Sequence, residues 1–152
     1  MFDFGTFPSM LRLLMTYCVL LLSFGFLFPT AKAFEVVDPI QYQNNIQYVS
    51  TGQGDTQLDP RWKSFPLKII MIKGPQRKKD TILHKGINLK LHSQDQKKLL
   101  DVKNVGPWFF ANLPPGDYYV YSKDSRGIDR NITIRVHGKK NKQDIYYIQW
   151  PL

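Results

Sequence analysis

The chain has 152 residues, 43% of them hydrophobic and 22% charged, with a net charge of +9. That length and apolar fraction bound it to one small domain plus a targeting segment. The single cysteine, Cys18, excludes an internal disulfide.

Residues 1–33 read as a signal peptide. Arg12 supplies the positive start, and Leu13 to Phe28 is an apolar run interrupted by Thr16, Tyr17, Ser23 and Gly25. Ala31-Lys32-Ala33 then has small residues where signal peptidase needs them, so the mature chain is expected to begin at Phe34. Met10 is a reasonable start, because Asp3 is out of place in such a leader. The run is short for a comfortable membrane span, which favours cleavage over an anchor and no stable span afterwards. Cys18 leaves with it, so the mature chain holds no thiol nucleophile or thiolate metal ligand and relies on its core alone. Of 21 Lys+Arg, Arg12 and Lys32 are lost, and of 12 Asp+Glu, Asp3, which leaves a charge of +8. A basic exported protein meets anionic glycan, lipopolysaccharide or an envelope protein sooner than nucleic acid.

Residues 34–64 read as a polar, loop-rich lead. Phe34 to Pro39 is compatible with one short strand, and Gln41 to Gln57 has no clean period. Gly52 and Gly54 lack the Lys-Ser/Thr and the strand–helix context of a phosphate-cradling loop. Leu58 to Trp62 reads as a helical turn or cap leading into a domain at 65–152. Leu67, Ile69 and Met71 mark a central strand, followed by a basic loop at Lys73 to Asp80. Ile87, Leu89 and Leu91 alternate with Asn88, Lys90 and His92 as a half-buried strand. Leu99 to Val102 is a further short strand.

The stretch from Gly106 to Tyr121 organises the rest. Trp108 to Ala111 is a short apolar run suited to a strand buried on both faces, and Leu113 is placed to plug the end of a core. Pro114 and Pro115 cannot donate to a sheet ladder, so the chain leaves the sheet there. Pro115-Gly116 predicts a type II turn. Beyond it Tyr118 and Val120 face one way, Tyr119 and Tyr121 the other. Ser122 to Asp129 is a hairpin loop, Ile132 to Val136 a strand, and Gly138 to Lys142 a second hairpin turn. Ile145 to Trp150 is the last strand, with Tyr146, Ile148 and Trp150 inward. About seven short strands with Gly/Pro turns and no helical period predict an all-β, antiparallel β-sandwich.

Gly106-Pro107-Trp108, the run Leu113-Pro114-Pro115-Gly116 with Tyr118 and Val120, and a closing Trp150 stand in an order that resembles small exported bacterial proteins of the carboxypeptidase regulatory-like type. The resemblance spans residues 51–150 and implies a transthyretin-like sandwich with Tyr118 and Val120 in its core. It implies a fold more firmly than a function. The enzyme branch of the transthyretin fold, which hydrolyses 5-hydroxyisourate, ends in Tyr-Arg-Gly-Ser, whereas this chain ends Gln149-Trp150-Pro151-Leu152, so that activity does not carry over.

No residue pattern specifies catalysis or a cofactor. Of His84, His92 and His137, the last two alternate with core residues and are expected to face solvent. No metal-ligand spacing and no Gly-x-Ser-x-Gly elbow is present, and nothing in the sequence brings Asp55 and Asp59 together as an acid–base pair. The expected function is a non-enzymatic binding or structural module, periplasmic or secreted, with Tyr119, Tyr121 and Tyr147 as an outward aromatic face for a glycan or protein. The alternative is an envelope hydrolase, which would depend on residues such as Asp55 or His92.

Overall fold

A computed structural model describes residues 38–52, 59–76, 81–139 and 142–152, all within the unit from Val36 to Leu152. The expected leader, Phe34 to Val37, Gly54, Asp55 and the basic run Arg77 to Asp80 lie outside the described residues.

Among the described residues there are ten strands: β1 (Gln41–Gln43), β2 (Ile46–Thr51), β3 (Leu67–Lys73), β4 (Ile82–Leu83), β5 (Ile87–Ser93), β6 (Lys98–Val105), β7 (Trp108–Ala111), β8 (Gly116–Lys123), β9 (Asp129–Val136) and β10 (Asp144–Trp150). The first sheet runs β1-β2-β7-β3-β10, with β4 also on β3, and the second runs β6-β5-β8-β9. Their inner faces share one core, built from residues such as Leu67, Ile69, Phe109 and Ile148 of the first sheet and Leu89, Leu91, Val120 and Ile134 of the second. The β-sandwich is the architecture expected from the strand pattern. Every ladder is antiparallel except β3–β10, which is parallel.

That parallel pair corrects the expected hairpin at Gly138 to Lys142. β10 joins β3 in the first sheet rather than its predecessor β9, so the 138–142 segment crosses between sheets. The chain must cross because Ile148 and Trp150 belong to the shared core and β3 offers them an open edge.

Residues 41–51, expected as loop, form β1 and β2. Asn44 and Asn45 both have positive φ, 49° and 63°, the two-residue connection whose twist matches a hairpin. Inside it, Ile46 and Tyr48 point into the core. β2 then pairs with β7, Val49 opposite Phe110 and Ser50 opposite Phe109. The junction is close: the Gly106 amide donates to Ser50 Oγ at 2.8 Å, and a Cβ on Gly106 would collide with the Thr51 carbonyl. The domain therefore begins well before residue 65.

β7 is buried on both faces, as its apolar run predicts. Phe109 and Ala111 enter the main core, while Phe110 enters a second cluster with Val49, Trp62 and Phe65 on the outer side of the first sheet. The cover is a 3-10 helix, Pro60–Ser64, capped by Asp59, whose carboxylate accepts from the Arg61 amide at 2.9 Å. Trp62 stacks on Phe110 at 6.0 Å, and Lys68 Nζ stands 5.4 Å over the Phe110 ring. Burial pushes the Lys68 ammonium below its usual pKa.

The Pro-Pro-Gly corner departs from a type II turn. Gly116 has φ 159°, essentially extended, and is the first residue of β8. The corner is instead closed by Tyr118, whose hydroxyl donates to the Pro114 carbonyl at 2.8 Å.

Phe110→Ala is expected to lower the unfolding free energy by about 3–5 kcal/mol, the usual cost of emptying a buried aromatic site. Urea unfolding of the full chain measures it. A loss below about 1 kcal/mol, the range of surface changes, would mean that the outer cluster contributes nothing to the fold.

Candidate functional site

The outer face of the second sheet is a grid set by register. One row across it is Asp101, Lys90, Tyr121 and Asn131; the next is Lys98, His92, Tyr119 and Thr133. Tyr119 and Tyr121 thus share a face, as strand alternation requires. Tyr147 does not join them. It lies opposite Ile70 on the outer side of the first sheet, so the three tyrosines form no single surface. Alternation gives the parity of Tyr147 correctly but says nothing of which sheet its strand enters.

A groove of about 290 Å³ runs along this face, lined by Asn88, Lys90, Asp101, Lys103, Tyr121, Ser122, Lys123 and Asp129. Asp101 is paired with Lys98 at 3.2 Å and Asp129 with Lys123 at 3.4 Å. Lys90 and Lys103 make no ion pair among the described residues, so the groove carries unneutralised positive charge. Tyr121 stands edge-on to His92 at 5.0 Å and its hydroxyl donates to Gln96 Oε1 at 3.2 Å. His92 therefore points outward, as expected, but is half-buried, with both ring nitrogens covered and without a hydrogen-bond partner. The Tyr121 ring leaning on it shields it from solvent.

His84 is buried at one end of the sandwich, 4% exposed. Its ring stands edge-on to Trp150 at 5.1 Å, and Nε2 lies 3.4 Å from Asp124 Oδ2, an ion pair only while the imidazole is protonated. Burial, helped by Lys73, depresses the imidazole pKa and outweighs the pull of Asp124. Burial works to raise the Asp124 carboxyl, but it accepts from the Ile128 amide (2.9 Å), the Arg126 guanidinium (2.9 Å) and the Arg126 amide (3.0 Å). These and His84 bring its pKa down to about 2. Arg126 also donates to the Pro151 carbonyl at 3.1 Å and Trp150 Nε1 to the Ile128 carbonyl at 3.2 Å. The cluster ties the β8–β9 loop to the end of β10, and its histidine is closed to a substrate.

His137 is exposed, as expected, with Nδ1 2.9 Å from Asp144 Oδ1 while Asp144 Oδ2 accepts its backbone amide at 2.8 Å. Arg135 grips Asp117 with two nitrogens, at 2.6 and 2.8 Å, which holds that carboxyl below its ordinary pKa. Asp59 is occupied by Arg61, and no group of three or more His, Cys, Asp or Glu among the described residues is placed to hold a metal.

The residues of the corner signature all have structural work. Leu113, Tyr118, Val120 and Trp150 are core; Trp108 flanks the outer cluster; Pro107 packs on Gly52 and its carbonyl accepts from the Met71 amide at 2.8 Å. The ring of Pro115 presses on Gly138, whose φ of 64° and close approach leave no room for a side chain.

No protein-family model and no curated protein matches the chain. Among solved structures, the crystal structure of BcpA*(D312A), the major pilin subunit of Bacillus cereus, is similar at 17% identity and a TM-score of 0.37. The match covers 56% of this chain, and the chain spans 30% of that pilin's length.

Two falls in stability are expected on acidification. His84 in the folded state is held below its ordinary 6.5, so the unfolded chain protonates first and stability drops as pH goes below 6.5. Asp124 is depressed from 3.8 to about 2, so its contribution is present above 3.8 and is lost as pH falls toward 2. Urea midpoints against pH measure both. His84→Gln should flatten the first fall relative to wild type and Asp124→Asn the second; unchanged profiles would remove both groups from the account.

Proposed function

We propose that the chain is an exported, non-enzymatic β-sandwich module of the carboxypeptidase regulatory-like kind that binds an anionic glycan on the outer face of its second sheet. The observation that carries this reading is the groove in which Tyr121 stands beside two lysines, Lys90 and Lys103, that have no ion-pair partner among the described residues. A tyrosine ring offers a flat apolar surface with a polar rim, which suits a sugar ring, and the free ammonium groups suit carboxylate or phosphate substituents. Asn88, Ser122 and the paired carboxylates Asp101 and Asp129 add polar partners for hydroxyl groups. Kinship with regulatory-like domains is supported by the Leu113-to-Val120 corner, and export by the apolar run with its Ala31-Lys32-Ala33 ending. A non-enzymatic role is supported by the engagement of the two His–Asp pairs, one buried under Trp150 and the other spent on bridging β9 to β10. No helix among the described residues is long and apolar enough to cross a membrane.

Affinity electrophoresis of the full chain in polygalacturonate, with neutral dextran as control, tests the reading. Retardation is expected in polygalacturonate alone. The double variant Tyr119→Ala/Tyr121→Ala, and separately Lys90→Gln/Lys103→Gln, should weaken it by about tenfold or more, as loss of central anchors does. Equal retardation of wild type and both variants would sink the assignment of this face.

A further inference from the structure

A second cleft lies where the Pro-Pro corner, the end of the 3-10 helix and the β9–β10 connection meet. Its volume is about 510 Å³, and it is lined by Lys63, Ser64, Phe65, Pro66, Asn112, Leu113, Pro114, Pro115, Gly138, Lys139 and Lys142. Among the described residues, three lysines line it and no carboxylate does. None of the three makes an ion pair among the described residues. Asp144, just past the cleft's edge, takes two hydrogen bonds from His137 and also feels the Lys142 charge, which helps to hold its carboxyl below the ordinary pKa. Asp59, Asp101, Asp117, Asp124 and Asp129 are each paired with a different cation.

The lysines come from two separate segments that are fastened together. Gln143 donates its side-chain amide to two carbonyls of the 3-10 segment, Trp62 at 2.9 Å and Phe65 at 2.8 Å. The Asp144 amide donates to Pro66 at 2.8 Å, and the Lys142 amide to Lys139 at 3.2 Å closes the turn. On the other wall, Gly138 lies directly on Pro115. The segments that carry Lys63 and Lys142 are thereby fastened to each other, and the three prolines Pro66, Pro114 and Pro115 line the same cleft.

We propose that this cleft binds a phosphorylated sugar, independently of the tyrosine face. Three lysines lining one cleft, none of them in an ion pair among the described residues, favour a compact, doubly charged anion over a neutral ligand. Phosphate is such an anion, and lysine serves it as a point charge that needs no bidentate geometry. The floor of Pro66, Pro114 and Pro115 has no backbone N–H to give, so it offers apolar contact to the C–H face of a sugar. Ser64 and Asn112 at its edge supply the polar groups for hydroxyls.

The experiment is an NMR titration of the full chain with glucose 1-phosphate, inorganic phosphate and glucose, following the amides of Lys63, Gly138 and Lys139. Saturable shifts are expected with glucose 1-phosphate, weaker affinity with phosphate, and none with glucose. Affinity should fall as salt is added, because the lysines are exposed and screened. Lys63→Gln/Lys139→Gln/Lys142→Gln should reduce it by about tenfold or more, given that each charge-assisted contact is strong. Lys142→Gln alone serves if the triple variant is poorly folded. Gln143→Ala should weaken binding while all three lysines remain, and Tyr119→Ala/Tyr121→Ala should leave it unchanged. Equal affinity for phosphate and glucose 1-phosphate overturns the sugar component. Absence of saturable shifts, or shifts indifferent to the lysine substitutions, overturns the site.

Discussion

β7 is hydrogen-bonded on both edges, and Phe109, Phe110 and Ala111 bury both of its faces. Its four residues pair with β2 on one side and β3 on the other. Phe109 faces the second sheet and Phe110 the outer cluster. Two consecutive large aromatics on opposite faces demand two separate apolar environments, because strand side chains alternate. The inter-sheet core supplies one. The 3-10 helix supplies the other by laying Trp62 and Phe65 over Phe110. The polar lead is thereby drawn into the fold: without β2 and the 3-10 helix, an edge of β7 and the ring of Phe110 would both face water.

This dependence explains what was legible in the sequence. β5 carries strict alternation and β9 a clean one, while β3 and β8 alternate with apolar or aromatic residues on the outer face too, so their positions and inward faces could be read directly, and β7 declared itself by its apolar run. β2 could not be recognised by period because Val49, on its outer face, is as buried as Ile46 and Tyr48 on its inner face. A signal was nevertheless present. Asn44-Asn45 is a turn pair that tolerates positive φ, standing between Tyr42 and Ile46. The hairpin it forms also serves the second sheet: Asn44 donates to the Leu99 carbonyl at 2.8 Å and Gln43 accepts from the Asp101 amide at 2.6 Å, which covers part of the exposed edge of β6.

Other features were illegible for a physical reason. A glycine at positive φ serves a hairpin and a crossover alike, so Gly138 could not say that β10 returns to β3 instead of β9. Pro-Pro-Gly fits a type II turn locally, but Tyr118 reaching back to Pro114 replaces the turn's own hydrogen bond. The candidate face failed in the same manner at Tyr147, where parity is local and sheet membership is not. The lysine cleft has no sequence signature at all. Lys63 and Lys139 lie 76 positions apart, and their segments meet only through tertiary contacts such as the two hydrogen bonds of Gln143 and the bond of the Asp144 amide to Pro66.

The surplus of positive charge is distributed accordingly. Asp59, Asp101, Asp117, Asp124 and Asp129 are each matched to a nearby cation, so the excess collects where carboxylates are missing. The cleft at the corner is such a place among the described residues, while the groove on the second sheet keeps two carboxylates, Asp101 and Asp129, beside its three lysines. Like charges held close raise the energy of the compact state, and a short screening length relieves only part of it for groups sharing one concavity. A counter-anion would relieve the rest. The corner that ends β7 is needed for folding, since the prolines turn the chain out of one sheet and into the other. Having no amide hydrogens, those same prolines cannot recruit a carboxylate side chain by backbone hydrogen bonding. A wall built for topology therefore leaves the cations around it open to a ligand from outside.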